Sequence, residues 1–437
     1  MRRIVFIIGV LLALLFRQAA QGEPTSETPL TLQEAVDTAL TQQPTLRVGQ
    51  ATVEAAQQRV HQQIAGYLPR GGYLYNYTRK EQAVSAAVGG VQAGQQQRVT
   101  AQLFNFNSTN FSMSQLLFDF GRTLDSIRAA IASVTASSAD LDTTRQTVIL
   151  NTKQAYYSVL ASQRLLQVAD ETVRQNQKHL EEAQARFTVG VAPRFDVTQA
   201  QVQLSNAVLN QVTARNNVAL ARETLRTAMG VTGPFLFTLV DTLERGTLTV
   251  NDEDLVAQAY AHRPELRSIQ AQQRAAAEQV SALQKQYLPS ITGTAQYNWT
   301  GRQYPLQQGW FWGVTLTFPL FDDILTYSQV GEAQANLRGL HAQEDDLRQQ
   351  IALEVRQSFL TLRQAEESIR VSEQTLVQAR ENLDLAEGRY AAGVGNIIEL
   401  TDAQVSLTSA EANTIQALAT YKTAVAQLER AVNQRLE

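Results

Sequence analysis

Hydrophobic and polar residues alternate over two widely separated stretches of this chain and recur at helical spacing over most of the remainder. In the first stretch Tyr73, Tyr75 and Tyr77 share one face, with Leu74 and Asn76 on the other. A stretch of small residues and glutamine, Ala83 to Gln97, follows. A second extended segment then runs through Phe111, Met113 and Leu117 to Gly121. In the second stretch Ile291, Ala295, Tyr297 and Trp299 alternate with Thr292, Thr294, Gln296 and Asn298. After a turn around Gln303 to Gly309, Trp310, Trp312, Val314, Leu316, Phe318 and Leu320 take the even positions, and Gly313, Thr315 and Thr317 the odd ones. A period of two with aromatics on the apolar face predicts two β-hairpins.

The spacing elsewhere is three and four. No Gly or Pro interrupts 122–187, and Leu124, Ile127, Ile131, Val134, Leu141, Val148, Val173, Leu180 and Phe187 lie on one heptad seam diluted by Ala, Ser, Thr and Asn. This predicts a helix of about 100 Å whose weak seam suits close packing in a larger assembly. Ile324 to Ala391 repeats the pattern. A Gly-containing turn after each long helix leads into one about half as long, Asp196 to Met229 and Glu399 to Asn433. Leu32 to Ala65 and Leu255 to Gln286 read as the remaining helices. One long helix would descend, a half-length helix return to mid-height, and the half-length helix of the next copy complete the climb.

These elements come in two copies. Tyr67-Leu68-Pro69 recurs as Tyr287-Leu288-Pro289, and Pro44-Thr45-Leu46 as Pro264-Glu265-Leu266, both displaced by 220 residues. Ala185 to Leu204 recurs as Gly388 to Leu407, displaced by 203, with Arg186/Arg389, Gly190/Gly393 and Val191/Val394 among the identities. The change of offset requires a first hairpin longer by 17 residues. A unit near 200 residues far exceeds a solenoid period. It divides the chain into a leader (1–22), a first repeat (23–229; hairpin about 70–120, turn 189–195), a mid-height connector (230–250) and a second repeat (251–437; hairpin about 289–321, turn 392–398).

Composition narrows the class. Arg2-Arg3, the apolar run Ile4 to Phe16 and small residues at Ala19-Ala20 and Gly22 read as a secretory signal peptide, the run being too short to span a bilayer. There is no cysteine, which removes disulfides and thiolate metal sites together. A net charge of −4 without a basic block argues against nucleic acid. The four histidines, His61, His179, His262 and His341, lack metal-ligand spacing, and no Ser/His/Asp set is readable, so neither metal, cofactor nor enzymatic activity is expected.

Two half-buried sheets in a soluble domain would also alternate. Against that reading stand export, the aromatics and the lack of any other long apolar run. A closed barrel is the only β structure that spans lipid, and four strands cannot close one. Three chains would supply twelve strands, with helices beneath forming a tube of similar girth. The fold class is therefore α+β and mainly α: internally duplicated, a long coiled-coil α-barrel with four strands per chain contributing to a 12-stranded trimeric β-barrel.

The duplicated Arg-x-x-x-Gly turns, the Tyr-Leu-Pro before each hairpin, and Leu117-Phe118-Asp119 and Leu320-Phe321-Asp322 after them resemble the TolC-like outer-membrane efflux protein family over essentially the whole mature length. The resemblance implies a homotrimer in outer-membrane lipid with a long periplasmic extension in a Gram-negative-type bacterium. It also implies a periplasmic adaptor and an inner-membrane transporter as partners. The function implied is a passive exit duct for small molecules. A type I protein-secretion outlet is the alternative within the fold, and a secreted coiled-coil structural or adhesive protein the alternative outside it.

Three sets of residues carry the expected function. The tips Arg186, Gly190, Val191, Arg389, Gly393 and Val394 turn the chain and, by resemblance, dock the adaptor. Glu399 and Asp402, three apart on one helix face, would place six carboxylates around a trimeric aperture, and such rings select cations. They align with the family's entrance ring, with Glu replacing the more usual Asp at the first position. Asp196 and Tyr390 match positions that hold the family's entrance closed. Gly395 stands where the family pattern has an arginine, so that part of the closing network is missing or supplied elsewhere, with Arg194 the candidate.

Overall fold

The computed structural model describes residues 28–85, 99–234, 237–246, 252–321 and 324–435. The expected signal peptide, most of the stretch from Ala83 to Gln97, Asp322 and parts of the connector lie outside them. Among the described residues no helix is long and apolar enough to cross a membrane.

The duplication is exact in the helices. The first copy contains α1 (Leu32–Gln42), α2 (Pro44–Ile64), a hairpin of β2 (Arg70–Ser85) and β3 (Val99–Phe118), α3 (Arg122–Thr188) and α4 (Arg194–Met229). The second contains α5 (Asp252–His262), α6 (Pro264–Gln284), a hairpin of β5 (Ser290–Gly301) and β6 (Gln307–Thr317), α7 (Leu325–Ala391) and α8 (Ile397–Val432). Corresponding helices are 11, 21, 67 and 36 residues long in both copies. The hairpins differ, with strands of 16 and 20 residues against 12 and 11, and the second copy adds a 3-10 turn at Lys285–Tyr287. Gly331, Gly339 and Gly388 leave α7 unbroken.

One expectation is corrected. Leu32 to Ala65 and Leu255 to Gln286 are not single helices, because each breaks before a proline. Gln43 has φ −63°, ψ 121° and Arg263 has φ −66°, ψ 126°. Proline excludes its predecessor from the helical region while fitting the first turn of the next helix. The break has a use in the first copy, where Gln43 Nε2 donates to the Thr227 and Ala228 carbonyls at the end of α4.

The chain divides into two compact units, and both long helices contribute to each. One contains the described parts of Met1–Pro44, Arg145–Leu255 and Glu354–Glu437. Here β1 (Thr28–Leu30) pairs in parallel with β4 (Phe237–Leu239). Leu30, Ala35, Tyr156, Leu160, Leu225, Met229 and Leu243 form the core around them. The fully buried Tyr156 sets its hydroxyl 3.0 and 2.7 Å from the Leu30 and Val240 carbonyls, and burial pushes its pKa up to about 12. The seam of α3 is therefore wider here than one heptad stripe: Tyr156, Tyr157, Leu160 and Ala161 are buried beside Val159, while Leu124, Ile131 and Phe187 on the expected stripe are exposed.

The other unit contains the described parts of Thr45–Thr144 and Val256–Leu353, including both hairpins. They form one antiparallel sheet in the order β2-β3-β5-β6, so the two copies join through β3 and β5. Register places Tyr73 opposite Phe111, Phe111 opposite Tyr297, and Tyr297 opposite Trp310, one aromatic row across all four strands. The other face carries Asn76, Ser108, Thr300 and Gln307 in the corresponding row, with Leu74, Phe104, Phe106, Leu116 and Phe311 among its apolar residues. β6 stops at Thr317, short of the apolar Phe318 and Leu320, because Pro319 offers no ladder donor. Beneath the sheet, Asp119 of the Leu-Phe-Asp motif caps α3: its carboxylate accepts from Gly121 N (3.1 Å), Thr123 N (2.7 Å) and the Tyr67 hydroxyl (3.4 Å). The Tyr-Leu-Pro and Leu-Phe-Asp motifs of the first copy thus meet at one carboxylate.

Candidate functional site

The two helical tips lie in the same unit and share a backbone. At the first, Val191 N donates to Arg186 O (3.0 Å) and Gly190 N to Phe187 O (3.0 Å). At the second, Val394 N donates to Arg389 O (3.0 Å) and Gly393 N to Tyr390 O (3.1 Å). This is the Schellman pattern, which needs a left-handed residue at the turn, and Gly190 and Gly393 have φ of 76° and 75°. The duplicated Arg-x-x-x-Gly is therefore the last helical turn with its arginine beside the orphan carbonyls, a favourable place for a cation. A Cβ on either glycine would meet nothing within 4 Å, so the demand is conformational. Val189, Val191 and Val394 project into solvent.

The side chains depart from this symmetry. Arg389 pairs with Glu399 across its own turn (Nε–Oε2 3.4 Å), and Asn396 Oδ1 caps α8 by accepting from Glu399 N (2.9 Å). Arg186, its counterpart, instead crosses to the second tip. It donates to the Ala391 carbonyl (3.2 Å), and its guanidinium lies 4.5 Å from the Tyr390 ring centroid, within cation–π range. Tyr390 is 5 % exposed, and its hydroxyl is buried without a hydrogen-bond partner. Burial and the charges of Asp196 and Glu182 raise its pKa, against the opposing pull of Arg186.

The structure thus brings Arg186 and Tyr390 together, with Asp196 acting on Tyr390 through space rather than by a hydrogen bond. Asp402 is exposed, and its carboxylate is unpaired among the described residues. Arg194, nominated to replace the arginine missing at Gly395, is exposed and makes no ion pair among the described residues; the cation on Tyr390 is Arg186. Gly395 folds against Arg389: its N donates to Arg389 O (3.0 Å), and a Cβ there would lie 3.0 Å from Arg389 Cβ and 3.1 Å from Tyr390 N. A side chain at this position does not fit without movement. The crossing of Arg186 and the Asn396 cap were missed by sequence reasoning. An N-cap signal, Asn three residues before Glu, was present for the second.

A family model of the outer membrane efflux protein matches residues 35–231 and 255–434. The chain belongs to that family. Outer membrane protein TolC of Salmonella enteritidis is 27% identical over 428 residues, covering 94% of this chain and 83% of that one. The toluene efflux pump outer membrane protein TtgF of Pseudomonas putida is 25% identical over 395 residues, covering 87% and 78%. The fold is also that of the Campylobacter jejuni CmeC outer membrane channel, with a TM-score of 0.79 at 17% identity over 93% of this chain and 86% of that one. The protein is accordingly an outer-membrane efflux component, and its family is one of passive channels rather than enzymes.

Proposed function

We propose that three copies of this chain close one barrel and one helical tube, forming a passive exit duct for small molecules. A periplasmic adaptor and an inner-membrane transporter would load it, supply energy and choose most of what is exported. The observation that carries this is the hairpin sheet. Among the described residues it has two unpaired edges, β2 and β6, and one face bearing an aromatic row of the kind that anchors barrels in lipid. Four strands do not close, whereas twelve do, and joining β6 of one chain to β2 of the next leaves no edge.

In this assembly the tips Arg186–Val191 and Arg389–Val394 dock the adaptor's helices, their small exposed residues allowing close approach. Glu399 and Asp402 ring the entrance. Arg186 on Tyr390, with Asp196 nearby, latches the two hairpins of each chain at rest, and opening separates them. Single-channel recording of the detergent-purified protein in a planar bilayer tests the reading: stable cation-preferring steps are expected. Protein recovered outside the outer membrane that also fails to insert would overturn it.

A further inference from the structure

The polar face of the hairpin sheet carries cations without counterions. Lys80 lies opposite Phe104 in register, and Thr78 opposite Phe106, which puts Lys80 on the face of Ser108, Asn110 and Ser112. Arg302 follows Gly301, the partner of Asn107, and turns over the same face. Its guanidinium sits 3.7 Å from the Phe104 ring centroid, and Lys80 Nζ sits 5.4 Å from that of Phe106. The two rings are successive on one face of β3, roughly 7 Å apart along the strand. Stacking therefore holds two like charges over successive rings of one face. Among the described residues neither makes an ion pair. The only carboxylate in the described strands is Glu81, which alternation places on the aromatic face. An aromatic ring fixes a cation but leaves its N–H groups and net charge free for another partner.

We propose that Lys80 and Arg302 form a binding site for multivalent oxyanions. Arg302 would supply a planar fork and Lys80 a point charge, with the hydroxyls and amides of the polar face completing the coordination. The inference rests on the barrel reading, in which this face lines the lumen and three copies make a cationic ring. The duct then carries two filters of opposite sign, the carboxylates of the second tip and this one. The ring would concentrate anionic solutes inside the barrel.

The test uses inorganic tripolyphosphate with the full-length trimer in detergent, by calorimetry, and in planar bilayers with the anion added to one side at a time. Wild type should bind it, and its current should fall when the anion reaches the barrel side. Lys80→Gln/Arg302→Gln should bind at least about tenfold more weakly and lose the block, while Lys80→Arg keeps both. Absent binding in wild type, or equal binding in the double variant at matched trimer content, would overturn the site. Conductance without the anion reports separately on the barrel: normal steps with no tripolyphosphate effect reject only the ring. Failure to insert rejects the barrel reading, and calorimetry still decides whether the cations bind.

Discussion

The two tips are equal in backbone and opposite in how they spend an arginine. Arg186 and Arg389 hold the same position in the repeat, as do Asp196 and Glu399, and Phe187 and Tyr390. The second tip makes the local pair Arg389–Glu399. The first leaves Asp196 without an ion pair among the described residues and sends Arg186 to its neighbour. Phe187 remains 46% exposed, whereas Tyr390 is buried beneath Arg186. The supporting seams differ likewise. Ala379, Leu383, Ala386, Ile397, Leu400 and Ala403 close the second hairpin along its length, while the first has a short cluster at Leu180, Ala183 and Ala200. Phe195, Leu209, Val212 and Leu220 of α4 are exposed. One hairpin is packed from within its chain, and the other presents an apolar face of the kind an assembly covers. A duplicated backbone has thus kept its turns and divided its labour.

The comparison breaks most completely at the shared glycines. Gly190→Val or Gly393→Val forces a β-branched residue into left-handed backbone, at a cost of about 1–2 kcal/mol before any contact changes. Because a Cβ meets nothing there, trimer and conductance should survive while export in a strain lacking its own channel is abolished. Asn at either site, which tolerates this backbone, should retain most export. Preserved export in the valine variants would remove the docking role, and a difference between the two would rank the tips.

A smaller effect separates the acidic residues. Glu399→Ala/Asp402→Ala should abolish cation preference and block by multivalent cations. Asp402→Ala alone should account for the larger part of the lost block, because Glu399 is already engaged by Arg389 while Asp402 has no ion pair among the described residues. The first tip has Gln199 in the place of Asp402, so the ring belongs to the second tip. Unchanged selectivity in the double variant would refute it. Smaller still, Arg186→Gln should raise the fraction of open channels at rest several-fold, since an exposed cation–π contact is worth about 0.5–1 kcal/mol. Arg389→Gln, which loses only a half-exposed ion pair of roughly 0–1 kcal/mol, should change it less. Equal effects in single-channel records would deny the latch.

Patterning made the elements legible because each repeats a period tied to one backbone geometry. Alternation marked Tyr73 to Tyr77 and Trp310 to Leu316, and the uninterrupted 122–187 marked the long helix. Pro44 and Pro264 were visible, yet single helices were read across them, whereas each resets its predecessor to extended backbone. At the tips, spacing fixed the turn and its glycines, since a Schellman motif is local. The partner of each arginine was not legible. Arg186 and Arg389 sit in matching sequences, and what distinguishes them is Tyr390, about 200 residues from Arg186. The aromatic row was legible strand by strand, but its alignment depends on register between copies, which no local pattern encodes.

The finest test of the asymmetry is the Tyr390 hydroxyl. Phe187, its counterpart, has none, and the hydroxyl of Tyr390 is buried without a partner. An unsatisfied buried polar group costs about 1–3 kcal/mol. Tyr390→Phe should therefore leave stability unchanged or raise it by up to about 1 kcal/mol, whereas Tyr156→Phe, which removes a hydroxyl bonded to carbonyls, should lower it by about that much. The pH dependence carries the same sign. Because burial raises the phenol pKa above its ordinary value of 10, the folded protein favours the neutral form. That contribution is fully present below the unfolded pKa and is lost as pH rises through the folded one. Wild type should lose stability above about pH 10, and Tyr390→Phe should lose less of it over the same interval. An alkaline unfolding profile unaltered by the substitution would mean that water reaches the hydroxyl, and with it that Arg186 does not seal the second tip.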